Sequence, residues 1–251
     1  WRDQAIVLSA QAHGEAGAIV QLLTRERGRH AGYVRGAFGR QGRAVWQPGN
    51  MVEVNWRARL ADNLGSLSGE LLRGYAAEAM DSAKRLSCLA AACSVTRNAL
   101  PEREPHPAIF EGMTVLLESI ADDTVWPVIY VHWELGLLKE LGFGLALDRC
   151  AETGQNDQLA YVSPRTGRAV SLSAGAPYHD KLLALPPFLA GAGDVDDSQM
   201  ASALDLTGYF LNACVFHPMN RGEPDARTRF VDRYRSMNTI SGGSSLNDGV
   251  D

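Results

Sequence analysis

Eight arginines between positions 25 and 59 (Arg25, Arg27, Arg29, Arg35, Arg40, Arg43, Arg57 and Arg59) are set against only two acids, Glu26 and Glu53. A guanidinium presents five donors in a planar fork that fits phosphate oxygens, so this run suits a polyanion. The same stretch contains Tyr33, Phe38, Trp46 and Trp56. Arginine interleaved with aromatics on a small barrel is how single strands are held, with phosphates on the cations and bases on the rings. The segment Phe38-Gly-Arg-Gln-Gly-Arg43 is glycine-rich and doubly basic, which suits a loop that follows a flexible backbone. The bland alternative is that the arginines are a solvated face and the aromatics are core.

The whole-chain average hides this run. The 251 residues carry a net charge of −5 with a pI near 5.7, which alone argues against a nucleic-acid partner. Divided, residues 25–59 carry +6 and the remainder −11. Of the 24 basic residues only Lys84, Lys139 and Lys181 are lysine. With 45% hydrophobic and 21% charged residues, the composition is that of an ordinary globular protein.

Other chemistry is thinly represented. GxxxxGK[ST], GxGxxG after a strand, HExxH and GxSxG do not occur, so no enzyme is expected. His13/Glu15 and His132/Glu134 form H-x-E triplets, but no PCxxC follows either. An enzyme built on His132 and Glu134 is weakened because their segment is expected to be buried. The six histidines lack ligand spacing and read as structural. Cys88, Cys93, Cys150 and Cys214 form no CxxC pair, which fits a reducing cytoplasmic setting, and Cys88 and Cys93 read as small buried hydrophobes. Asp194-Val-Asp196-Asp197 reads as a solvated loop and helix start. Arg227, Arg229, Arg233 and Arg235 either extend a cationic surface or pair with Asp225 and Asp232. No signal peptide is visible in WRDQAIVLSA. The most apolar stretch, Val125 to Leu141, is interrupted by His132, Glu134, Lys139 and Glu140, so no membrane span is expected.

Periodicity supplies the scaffold. In residues 52–60, Val52, Val54, Trp56, Ala58 and Leu60 alternate with Glu53, Asn55, Arg57 and Arg59, predicting a half-buried strand with Trp56 inward and two arginines wet. Further strands are predicted at Gln4–Ala12, Ala18–Thr24, His30–Ala37 and Leu67–Ala77, with turns at His13-Gly14, Arg27-Gly28 and Asn63-Leu64-Gly65. Five short strands in about 80 residues suggest a small closed barrel. In phase with Arg35, Tyr33 is the better stacking candidate, whereas Phe38 and Trp46 cannot be phased. From Asp81 the period becomes 3.6. Ile109, Met113, Leu116, Leu117 and Ile120 form one stripe, and Val128 to Leu141, with Thr124 as N-cap and Pro127 in the first turn, predicts a central buried helix. A helix from Ser198 to Phe216 is stopped by Pro218, and a short charged one covers Arg227–Met237. Between them lies a hairpin of Leu159–Val162 and Arg168–Leu172 about Pro164-Arg-Thr-Gly167. The expected domains are 1–80 and 81–240, with 148–177 inserted and a disordered tail at 241–251.

Three ordered stretches resemble the bacterial recombination mediator RecO family. They are Tyr33-Val-Arg-Gly-Ala37 with Gly42-Arg43, Gln47-Pro48-Gly49, Trp56 and Glu70-Leu71-Leu72; Leu137-Leu-Lys-Glu-Leu-Gly-Phe143 with Leu147-Asp-Arg-Cys150; and Tyr161-Val-Ser-Pro-Arg-Thr-Gly167 with Ala174-Gly175. The resemblance implies an α+β multidomain protein: a five-stranded OB-fold barrel, then a mainly α-helical domain with an inserted zinc-finger-like hairpin. It also implies a non-catalytic role in DNA repair, in the cytoplasm with the nucleoid. Single- and double-stranded DNA would be bound and annealed, and RecA loaded at gaps together with RecR and the C-terminal tail of the single-stranded-DNA-binding protein. Some members hold a C4 zinc. Here Cys150 matches the first ligand, while Thr153, Ser171 and Ala174 stand at the others, so no metal and no cofactor is expected, and turn chemistry must hold the hairpin. The competing class is a protein-interaction scaffold whose barrel does not touch DNA.

Overall fold

The computed structural model describes residues 1–60, 63–193 and 195–241. The strands β1 (Arg2–His13), β2 (Gly17–Thr24), β3 (Gly28–Arg35), β4 (Met51–Arg57) and β5 (Ser66–Arg73) close a barrel in the order β1-β2-β3-β5-β4. All pairings are antiparallel except the closing contact between β3 and β5, a parallel pair of Tyr33 with Ser66. That order is the OB-fold barrel. Period-2 alternation accounts for it: Val7, Val20, Leu22, Val34, Val52, Val54 and Leu67 all point into one core.

The strand ends differ from the periodicity reading. β4 stops at Arg57 and Leu60 is 68% exposed, because the Trp56 indole N–H donates to the carbonyls of Ala31 and Leu64 and ties the chain into its turn at that point. β5 stops at Arg73. The next residues form a helical turn, α2 (Tyr75–Glu78), started at Gly74, where the Ala76 amide donates to the Asn50 side chain at 3.1 Å instead of to a ladder.

After α1 (Gly42–Val45) and α2, the longer helices are α3 (Ala83–Ala99), α4 (Pro107–Ser119) and α5 (Trp126–Glu140). Small residues on α3 let it lie close on the barrel, with the Cys93 thiol 3.5 Å from the Val7 carbonyl and Leu89 against Gly49. Cys88 and Cys93 are buried, as expected. The stripe Ile109, Met113, Leu116, Leu117 and Ile120 is buried along and just beyond α4. Two expectations for α5 are corrected. Thr124 does not cap it by accepting; its amide and hydroxyl both donate to the Asp122 carboxylate, and the Asp122 carbonyl receives the Trp126 amide. Nor is α5 buried all round, since His132, Gly136, Lys139 and Glu140 are exposed.

By packing, the described residues form two compact units, Trp1–Trp133 with Pro224–Arg227, and Glu134–Glu223 with those from Thr228 onward. The second contains β6 (Leu159–Val162), β7 (Ala169–Ser171), α6 (Leu172–Gly175) and β8 (Leu183–Ala184), with the sheet order β7-β6-β8. It continues through α7 (Asp197–Phe210), a π-helical turn at Leu211–Phe216, and α8 (Asp225–Ser241), which begins in the first unit. Asp196 caps α7, accepting from the Gln199 amide at 2.7 Å. Asp194 and the expected disordered tail beyond 241 lie outside the described residues.

Candidate nucleic-acid interface

The segment joining β3 to β4 folds back on itself before its arginines project. The Gly39 amide donates to the Gly36 carbonyl at 3.0 Å, and the Arg43 amide to the Gly39 carbonyl at 2.9 Å. Gly42 is required here: a Cβ would meet the carbonyl oxygens of Gly36 and Ala37 at 2.5 and 2.7 Å. Trp46, 6% exposed, plugs the segment into the barrel core, and the Asn50 amide donates to the Ala44 carbonyl at 2.8 Å. The glycines thus build a pinned turn, and that turn aims Arg40.

Between this turn and β5 runs an open groove of about 760 Å³, lined by Arg35, Arg40, Gln41, Trp46, Glu70 and Leu71 among others. Arg35 reaches it from the end of β3. Arg43, Arg57 and Arg59 are exposed outside its lining. Among the described residues, Arg35, Arg40, Arg43, Arg57 and Arg59 form no ion pair within the protein, which leaves their charge for an external anion.

The remaining candidates are placed differently. Arg25 pairs with Glu111 at 2.9 Å, and Arg27 lies 5.5 Å over the Trp1 ring. Arg29 is held by the Leu100 carbonyl, Gln21 and Glu102 at 2.9–3.1 Å. These bonds fasten residues 100–103 to β3; the chain passes so close that a Cβ on Gly28 would collide with the Glu104 carbonyl. The Tyr33 ring covers Gly17, leaving no room for a Cβ there, and His13 meets that ring edge-on at 6.2 Å. Phe38 is 43% exposed on the turn. Trp56 is inward as predicted, stacked on Trp1 at 5.4 Å. Beside that pair, burial and the charges of Arg103 and Arg27 push the His30 imidazole below its ordinary range.

His132 and Glu134 face different surroundings. His132 is exposed, while Glu134 is fully buried and accepts from the Thr207 hydroxyl at 2.5 Å. At the hairpin, Cys150, Thr153, Ser171 and Ala174 do come together. The Ser171 amide donates to the Cys150 sulfur at 3.3 Å, the Ser171 hydroxyl lies 3.5 Å from it, and that hydroxyl accepts from the Ala174 amide at 3.4 Å. Burial pushes the Cys150 thiol up, but donors from Thr153 and Ser171 outweigh it and bring the thiol down to about 6. Hydrogen bonds hold this hairpin. Among the described residues no three His, Cys, Asp or Glu cluster as metal ligands, and no helix is long and apolar enough to cross a membrane. In α8, Arg227 is buried, and Arg235 pairs with Asp205 at 2.6 Å and Asp232 at 3.5 Å.

Residues 1–75 match the model of the recombination protein O N terminal, and residues 80–222 that of its C terminal. The chain belongs to the RecO family. It is 53% identical to the DNA repair protein RecO of Rhodospirillum centenum over 96% of this chain and 97% of that protein. With the DNA repair protein RecO of Caulobacter vibrioides it shares 49% identity over 96% and 99%, and with that of a Ruegeria species 42% over 92% and 97%. The barrel-then-helices order and the place in DNA repair and recombination are therefore those of the RecO family. Sequence reasoning missed Glu70 and Leu71 as parts of the groove lining. Closure of the barrel through β5 brings them there, and no local pattern carries that information.

Proposed function

We propose that this RecO-family protein is a non-catalytic mediator that binds single- and double-stranded DNA through its barrel, promotes annealing of complementary strands, and acts with RecR and the single-stranded-DNA-binding protein to load RecA at gaps in the cytoplasm. The observation that carries this reading is the groove between the pinned turn and β5. It offers Arg35 and Arg40, which have no ion partner among the described residues, beside the exposed Phe38. Arg43, Arg57 and Arg59 extend the cationic face, with Tyr33 at its margin and Arg25, Arg27 and Arg29 as a flank already engaged by the protein. Neutralising phosphates releases counterions, so binding depends on salt and little on sequence. Two strands held with their phosphate charge screened and their bases exposed can pair, which is the physical basis for annealing. The net negative remainder of the chain suits protein contacts better than DNA.

Anisotropy of a fluorescent single strand titrated with the protein between about 50 and 200 mM salt tests this reading. Affinity should fall linearly on logarithmic axes, and Arg35→Glu with Arg40→Glu should lower both the affinity and the slope. Because two phosphates of the single strand are then no longer neutralised, the slope should fall by about 1.4. Salt-independent or absent binding would overturn the DNA reading and favour a scaffold that contacts only protein.

A further inference from the structure

The cationic groove has an acidic end. A second depression of about 330 Å³ lies over β4 and β5, lined by Arg2, Glu53, Val54, Asn55, Ser68, Gly69 and Glu70, so Gly69 and Glu70 belong to both. Register puts Glu53 and Glu70 directly opposite each other across the two strands. Like charges so placed repel, and the arrangement weakens the sheet unless a cation sits beside it. Arg2 is that cation: it ion-pairs with Glu53 and also feels the charge of Glu70. Gly69 faces inward beside Glu70: a Cβ there would meet the Glu53 carbonyl at 2.8 Å and the core Trp46 ring at 2.9 Å, so it makes room for the tryptophan that plugs the turn. The two depressions adjoin at Gly69 and Glu70, and the charge changes sign at Glu70.

We infer that Glu70, backed by the Glu53–Arg2 pair, ends the path of a bound DNA strand on the barrel. This rests on the proposed DNA binding and names which way the strand runs. Phosphates engage Arg35 and Arg40, meet the Glu70 carboxylate at the junction, and leave along the pinned turn toward Arg43 instead of crossing β4 and β5. A single negative charge at the end of a cationic groove repels the next phosphate and shortens the contact. A mediator that must surrender its strand gains from a short contact, because each added phosphate contact slows release.

The test is Glu70→Gln in the full-length protein, compared with wild type by strand anisotropy across salt and by the length of strand each molecule covers at saturation. Glu70→Gln should bind about three- to fivefold tighter, the scale of one exposed charge interaction. Its salt slope should rise by about 0.7, as one further phosphate is engaged near Arg2. The length covered should increase, and adding Arg2→Gln should cancel the gain. If wild type binds with a clear salt slope and Glu70→Gln leaves affinity, slope and covered length unchanged, the strand does not end at Glu70 and this inference falls. If wild type itself shows no salt-dependent binding, the DNA reading has failed instead. Circular dichroism melting of each variant separates loss of fold from loss of binding.

Discussion

His30 shows how one residue can report on the barrel's integrity. It is 7% exposed, edge-on to Trp1 and Trp56, with Arg27 and Arg103 nearby. Burial first, then those two charges, favours the neutral ring and depresses its pKa below the ordinary 6.5. The unfolded chain then binds the proton more readily than the folded one, so the neutral ring's contribution is intact above about pH 6.5 and is lost as pH falls through the folded value. Melting temperature should fall from pH 7.5 to 5, and His30→Phe, which keeps a ring between the tryptophans but cannot titrate, should flatten that dependence. An identical pH dependence in the variant would remove His30 from the account. At this scale alternation placed Trp56 correctly, because a strand's side chains follow period 2 whatever surrounds them. It could not show that the half-buried Tyr33 ring lies over Gly17 on the neighbouring strand, a contact set by the pairing of β2 with β3.

At the scale of elements, the hairpin of β6 and β7 is closed by Ser171, whose hydroxyl caps α6 and, with its amide, faces the Cys150 sulfur. Cys93 is pushed up to about 12 and Cys214 is raised, both by burial, so neither contributes a thiolate near neutrality. A thiolate absorbance step near pH 6 should appear in the wild type and vanish in Cys150→Ser. In Ser171→Ala it should move upward, because one of the donors that hold the charge is gone. The same variant should lose about 1 kcal/mol, the usual cost of an N-cap hydroxyl, in a denaturant titration. A step that stays near 6 in Ser171→Ala would assign the lowered pKa to Thr153 and the backbone amide of residue 171, with no part for the hydroxyl. The elements themselves were legible because hydrophobic period and turn glycines are local properties: β2, β3, the stripe on α4 and the hairpin all lie close to where periodicity puts them. Their ends were less so. β4 and β5 stop where Trp56 and Asn50 make hydrogen bonds to residues distant in sequence, and neither partner can be seen along a single strand.

For the whole molecule, the division of charge makes a spatial prediction. The cationic run belongs to the barrel, while the remainder of the chain is net negative. Protein surfaces of one sign attract a polyanion and those of the other repel it over roughly a Debye length, about 8 Å at physiological salt. Bound single-stranded DNA should therefore leave a local footprint. In hydrogen exchange of the full-length protein, DNA should slow the amides of residues 33–43 and of β5 beside the groove, and leave β6, β7 and α7 unchanged. Raising salt should erase the footprint, because counterion release drives the contact. Protection confined to the second unit, or protection unaffected by salt, would contradict the division. Protection confined to the second unit would place the DNA on Arg165, Arg168 or the α8 arginines, and salt-independent protection would mean that phosphate contacts do not hold it. The average charge of −5 cannot distinguish these outcomes, because the energy of a phosphate contact depends on the nearest few charges and hardly on the sum over the chain.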